Sequence, residues 1–273
     1  MSGTEVYPPV TAELLDEVVR RVLSAGSPRK IILFGSHARG DAHPYSDLDL
    51  LIVEDSDEPR GTRGSKYWSA LSGIYPEKDI LVWTPEEIEE WSEVRNAFAT
   101  VAVREGRTLF SSSTPRSTCK KGKRPIRTKF DLARGWMTKG DSDLTGARML
   151  IKGPGPYDTA CFHAQQAVEK HLKAVIALAE VTIARTHDLS DLQAVRASLA
   201  PTLDLGGIDL KSLNSFAVKA RYDQNYWPER EEAEGALAMA ERLRAAVLAV
   251  LPAEAHPAPT SQGIISMDRN NPT

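Results

Sequence analysis

A chain of 273 residues with a formal net charge of −3 has length enough for two domains with separate cores, and it excludes a uniformly basic coat for nucleic acid while leaving room for a local basic site. Its two cysteines, Cys119 and Cys161, are too few and too far apart for a disulfide framework or a zinc site. No apolar run reaches the length of a membrane span and the N-terminus lacks a signal-peptide layout, so the expectation is a cytoplasmic, reduced protein.

Residues 11–25 place Leu14, Leu15, Val18, Val19, Val22 and Leu23 on one helical stripe, with Thr11 as N-cap and Gly26 as the stop. KIILFG at 30–35 is a short apolar run closed by glycine and predicts a buried strand. SDLDLLIVED at 46–55 alternates at its polar start and then turns continuously apolar, a second strand. EKDILVWTP at 77–85 repeats that style, and Pro85 opens a helix with Glu86, Glu87, Glu89 and Glu90 near its positive end. VREGRTLF at 103–110 reads as a helix ending at Gly106 and then a short strand. Residues 1–110 therefore mix helices with a small sheet.

Residues 111–129 lack apolar periodicity and carry Arg116, Lys120, Lys121, Lys123, Arg124, Arg127 and Lys129, which predicts a basic linker. From 130 to 251 the pattern is helical throughout. The first helix ends at a Gly-Pro-Gly-Pro break. The second, 157–180, carries Cys161, Ala164, Val168, Leu172 and Val175 on its apolar stripe. A third begins near Asp188 or Ser190, a fourth includes LKSLNSFAVKA, and a fifth runs from Pro228 to about Val250. Helices joined by short connections imply a bundle. The proline-bearing segment 252–273 reads as a disordered tail.

The chemistry concentrates in LFGSHARGDAHPYSDLDLLIVED, residues 33–55. Asp47 and Asp49 stand at i and i+2 on a strand, so both carboxylates project from one face. Two such charges repel unless a cation lies between them, and oxygen-only ligands suit Mg²⁺ shared with substrate phosphates. Asp79, near the start of the next apolar strand, can complete the set. Gly35 lets backbone N–H groups approach a phosphate, Ser36 adds a hydroxyl, and Arg39 adds a fork for phosphate oxygens. A phosphate cradle facing metal-binding carboxylates is the equipment of phosphoryl or nucleotidyl transfer.

These residues resemble the minimal nucleotidyltransferase domain of the DNA polymerase β superfamily: a hydrophobic strand, Gly-Ser, a short helix with Ala-Arg-Gly, Ser-Asp-x-Asp, and a later acid. The match is Gly35, Ser36, Ala38, Arg39, Gly40, Ser46, Asp47, Asp49 and Asp79, over about residues 10–110. The resemblance implies that Gly35, Ser36, Arg39 and Ser46 hold the triphosphate. It also implies that Asp47, Asp49 and Asp79 bind two Mg²⁺ ions and that NMP, AMP from ATP by precedent, moves to a hydroxyl acceptor. His37 and His43 flank the cradle as incidental loop residues.

Residues 130–251 are similar to the HEPN domain, through Trp136, ACFHAQQAVEKHLKA, THDL and FAVKARY. His163, Gln166, Lys170 and Lys173 form a polar helix stripe, read either as a solvated face or as a groove for nucleotide, nucleic acid or partner. The ribonuclease motif of many HEPN domains needs a histidine shortly after an arginine; Arg221 has none, so RNA cleavage is not expected. Tyr222 and Tyr226, beside Arg221, are either packing residues or hydroxyls that accept AMP. On the packing reading, Arg221 joins His163 and Lys170 in holding triphosphate or acceptor.

The fold class expected is α+β: a small mixed sheet with flanking helices, followed by an all-α HEPN-like bundle. The expected activity is Mg²⁺-dependent transfer from a nucleoside triphosphate to a hydroxyl of a protein or small molecule, with protein adenylylation in a toxin–antitoxin-like system as one setting. Aminoglycoside modification and a non-catalytic nucleotide- or RNA-binding regulator stay open as alternatives, as does assembly into a homo-oligomer.

Overall fold

The computed structural model describes residues 9–43, 45–112, 126–180 and 188–258, without the side chains of Ser198, Leu199, Arg221 and Tyr222. Most of the expected basic linker, His187 and the end of the expected tail fall outside these described residues. The chain divides into two compact units, Met1–Thr128 and Lys129–Thr273.

The first unit runs α1 (Ala12–Ala25), β1 (Lys30–Phe34), α2 (Ser36–Arg39), β2 (Leu48–Val53), α3 (Ser65–Ala70), β3 (Lys78–Trp83), α4 (Pro85–Glu90), α5 (Phe98–Glu105) and β4 (Arg107–Ser111). Thr11 caps α1 by accepting the Leu14 N–H at 3.2 Å. The four-stranded sheet has the order β3-β2-β1-β4. β1 is antiparallel to β2 and β4, whereas β2 and β3 are parallel, so the sheet is mixed. Parallel neighbours need a crossover, and α3 lies within it.

Both sheet faces are covered, which is why β2 and β3 read as almost unbroken apolar runs. Ile31, Leu33, Leu48, Leu50, Ile52, Ile80 and Val82 pack with Leu15, Val18 and Val22 of α1 and with Tyr67 of α3. Residues of the opposite parity, among them Ile32, Phe34, Leu51, Val53 and Trp83, pack with Ala99 and Ala102 of α5. α4 starts where the sequence predicts, with a capping box: Glu87 N–H donates to Thr84 Oγ1 at 3.3 Å, and Thr84 N–H donates to Glu87 Oε2 at 3.0 Å.

The second unit contains α6 (Lys129–Lys152), α7 (Asp158–Leu178), α8 (Leu189–Leu199), α9 (Leu210–Tyr222) and α10 (Arg230–Val250). α7 is the central helix and packs against the other four. Ala160, Cys161, Ala164, Ala167, Val168 and Leu172 are fully buried along it, small side chains alternating with larger ones so that neighbouring helices approach closely. Asp188 caps α8 by accepting the Ser190 N–H at 2.7 Å. No described helix is long and apolar enough to cross a membrane.

Candidate active site

Strand register assembles the acidic group. Phe34 of β1 pairs with Asp49 of β2, and Asp49 pairs with Asp79 of β3. In-register residues of neighbouring strands share a face, so the Asp49 and Asp79 side chains lie on the same side, with Asp47 following by alternation. That is the face on which Leu51, Val53 and Trp83 sit in the core further along. The face therefore changes from carboxylates to apolar side chains along two strands at once. Asp47 and Asp79 are exposed, whereas Asp49 is half-buried.

Asp49 has its seat over Gly35. The glycine has φ +72°, and a Cβ there would overlap Asp49 Oδ2 and stand 2.8 Å from its Cγ. A side chain at 35 would both strain the backbone and evict the carboxylate. From Gly35 the chain enters α2, where the N–H groups of Ala38 and Arg39 both bond to the Gly35 carbonyl at 3.2 Å. The N–H groups of Ser36 and His37 precede these first helical bonds and have no place in the helix ladder. Gly40, at φ +83°, ends the turn.

Arg39 and Ser46 hold neighbouring positions in different ways. The exposed Arg39 guanidinium forks onto Asp41, with Nε and Nη2 each at 3.1 Å. An exposed pair of this kind is worth little. Ser46 is only 8% exposed: its Oγ accepts the His43 N–H at 3.0 Å, and its carbonyl lies 3.1 Å from His37 Nε2. His43 Nδ1 in turn accepts the Tyr45 N–H at 3.1 Å. Ser46, His37 and His43 thus shape the loop that delivers Asp47.

The donors gathered here are carboxylate oxygens, the type that hard divalent cations take. Among the described residues, no group of three or more His, Cys, Asp or Glu side chains is arranged to hold a metal ion. Mg²⁺ commonly takes one or two carboxylates and completes its shell with substrate phosphates, so it needs no closed protein cage.

In the second unit the polar stripe of α7 meets α6. His163 Nδ1 lies 3.0 Å from Asp143 Oδ1, and the Lys170 ammonium pairs with the same carboxylate. Lys173 pairs with Glu169 at 2.8 Å and stands over the Trp136 ring at 5.3 Å. His171 is fully buried, with Nε2 at 3.1 Å from Asp141 Oδ1, and a Cβ on Gly140 would collide with its ring. Asp141 also receives Arg244 in a two-pronged pair at 2.6 and 2.8 Å. Burial opposes its charge, yet the hydrogen bonds from Arg244 and His171 prevail and hold Asp141 down at about 2.

The half-buried Tyr226 stacks on Phe216 at 6.2 Å between centroids and donates its hydroxyl to Glu232 at 3.2 Å. Burial first, then Cys161 and Glu232, push its phenol above the ordinary range. The Arg221 and Tyr222 side chains lie outside the described set.

The structure thus brings Gly35, Ser36, Ser46, Asp47, Asp49 and Asp79 to one end of the sheet. It sets His163 and Lys170 together on Asp143. Sequence reasoning missed Asp41 and Asp143 as the partners of its proposed phosphate contacts. Asp41 had a local signal, two residues after Arg39 in a loop; Asp143, on another helix, had none.

Residues 13–102 match the nucleotidyltransferase domain family and residues 133–250 match the HEPN domain family. A protein of Methanocaldococcus jannaschii named "Putative protein adenylyltransferase MJ0604" is 62% identical over 32 residues, which are 12% of this chain. The match spans 32% of that relative's length. A crystal structure of TT1696 from Thermus thermophilus is similar at 32% identity, covering 44% of this chain and 98% of that one, with a TM-score of 0.37. The chain therefore joins a nucleotidyltransferase domain, the catalytic part of an enzyme family, to a HEPN domain.

Proposed function

We propose that this chain is a cytoplasmic, Mg²⁺-dependent nucleotidyltransferase that moves NMP, in the first place AMP from ATP, onto a hydroxyl acceptor with release of pyrophosphate. The observation that carries this reading is the in-register pair Asp49–Asp79 with Asp49 seated over Gly35. Like charges brought together at a strand start are stabilised by a bound cation.

Asp47, Asp49 and Asp79 would hold the ion, which when bound supplies Lewis-acid stabilisation of phosphoryl charge. Ser36 and the backbone N–H groups after Gly35 bind the triphosphate, and Arg39 turns from Asp41 onto a phosphate oxygen. Ser46 keeps the loop before Asp47 in one shape. Asp79 is on β3, the edge strand, and assists loss of the acceptor's proton. In the second unit His163, Lys170 and Arg221 are the proposed nucleotide or acceptor contacts, the first two exchanging Asp143 for phosphate. The name of the archaeal relative favours a protein as acceptor, and a toxin–antitoxin-like setting fits a transferase joined to a HEPN domain.

The test is transfer of label from each α-labelled NTP to protein, RNA and aminoglycoside acceptors, with Mg²⁺ or with EDTA. Label from ATP on a protein in the Mg²⁺ arm alone is the expected result. Absence of transfer from every NTP, or undiminished transfer in EDTA, overturns the reading.

A further inference from the structure

A cavity of about 530 Å³ opens in the first unit at the end of the sheet away from the carboxylates. Ile32 and Val53 line it, and both belong to the core layer under α5, so it lies on the same sheet face as Asp49. Val53 is four residues along β2 from Asp49, a distance of about 13 Å at the rise of a strand. The cavity is therefore separate from the candidate active site. Lys30 is in register with Val53 and comes two residues before Ile32 on β1, so alternation turns its side chain to the same face. On the helix side are Glu86, Ile88 and Glu89 of α4, and the 40% exposed Val103 of α5 adds apolar surface.

The charges around this cavity are paired unevenly. Arg29, also in its lining, is held by Asp55 at 2.6 Å. On α4, Glu87 pairs with Arg63 at 2.7 Å and with Arg60 at 3.2 Å, and Glu90 pairs with Arg127 at 2.6 Å. The carboxylates of Glu86 and Glu89, three residues apart on the cavity side, have no ion pair or hydrogen bond among the described residues, and neither has the Lys30 ammonium. One short helix thus ties two of its carboxylates into the fold and leaves two beside a cavity. The strand side of that cavity carries an unpaired cation, and its lining is otherwise rich in aliphatic side chains.

Such a lining complements a molecule with an apolar body, a positive end and a negative end. The volume falls within the range of small-molecule sites. The two signs come from different elements, a helix and a strand. A ligand with its charges set apart therefore suits them better than an amino acid whose ammonium and carboxylate share one carbon. We infer that this cavity binds short peptides with apolar side chains, the N-terminal ammonium against Glu86 and Glu89 and the C-terminal carboxylate against Lys30. The inference is independent of the proposed nucleotidyl transfer.

The test is an NMR chemical-shift titration of the full chain with leucyl-phenylalanine, its N-acetyl form, its C-terminal amide and the doubly blocked peptide. The free dipeptide is expected to bind best, with each block weakening it by about threefold. Lys30→Gln should weaken the free dipeptide and erase the difference between acid and amide, while the cost of N-acetylation stays. The double substitution Glu86→Gln with Glu89→Gln should erase the cost of N-acetylation and keep the difference between acid and amide. All three positions are exposed, so these variants should fold as the wild type does. Equal binding of all four peptides overturns the inference in favour of an apolar surface for an internal chain segment. A Lys30→Gln variant that weakens acid and amide alike overturns the assignment of the carboxylate to Lys30. Binding of none of the four, or shifts confined to the residues around Asp47, Asp49 and Asp79, overturns the inference outright.

Discussion

In the first unit three carboxylates collect at the start of two parallel strands, whereas in the second Asp141 and Asp143 are each enclosed by cations from other helices. The same side-chain chemistry is put to opposite ends. Asp141 ties α6 to α7 through His171 and to α10 through Arg244, and its charge is satisfied within the fold. Asp47, Asp49 and Asp79 stand instead at one end of the sheet, the placement on which the proposed metal site rests. Neutralising a carboxylate should therefore cost activity in one unit and stability in the other.

The largest expected effect is on transfer. Asp47→Asn and Asp49→Asn should each lower it by at least about a hundredfold, with Asp79→Asn in the same direction, as followed by α-labelled NTP. Asp47→Asn and Asp79→Asn should leave urea unfolding within about 0.5 kcal/mol of wild type, as exposed positions do. Unaltered Mg²⁺-dependent turnover in both Asp47→Asn and Asp49→Asn would sink the assignment of the acidic group. Gly35→Ala comes next: positive φ and the overlap with Asp49 should cost about 2 kcal/mol in urea unfolding and remove activity together.

Asp141→Asn breaks the comparison if it spares stability. It leaves Arg244 and the buried His171 without their shared anion and should cost about 1–3 kcal/mol. A pH series sharpens this. The folded Asp141 titrates at about 2, below the ordinary 3.8, so its contribution is fully present above pH ~4 and is lost as pH falls towards 2. The urea midpoint of the wild type should fall across that window more steeply than that of Asp141→Asn. The smallest effect is at a site outside both clusters: Thr84→Ala removes one half of the α4 capping box and should cost about 1 kcal/mol by the same assay.

Much of this was legible from local pattern. The apolar runs at 30–35, 46–55 and 77–85 became β1, β2 and β3 because each is short, rich in branched residues and closed by a turn or cap. The acidic spacing Asp47-x-Asp49 was visible for the same reason. α3 was not read, since SKYWSA is too short for a helical period. What no local pattern carries is register. That Asp49 lies against Gly35 and in line with Asp79 depends on how three strands align. Likewise the stripe of His163 and Lys170 was plain from helical spacing, but its closure by Asp143 depends on how α6 packs on α7. Buried on one side and half-covered on the other, that stripe reads in sequence like any solvated face.

The common direction of β2 and β3 has one more consequence. The segments 41–47 and 71–77 both enter their strands from the same end, and neither contributes a residue to the register of the sheet. Exchanges in these two entry loops that keep Ser46, Asp47 and the buried Leu71 and Ile74 can alter what the protein grips without asking the strands to re-pair. Variation in substrate among proteins of this architecture therefore has a ready place to accumulate, and a designer who wished to redirect this chain would begin by grafting there.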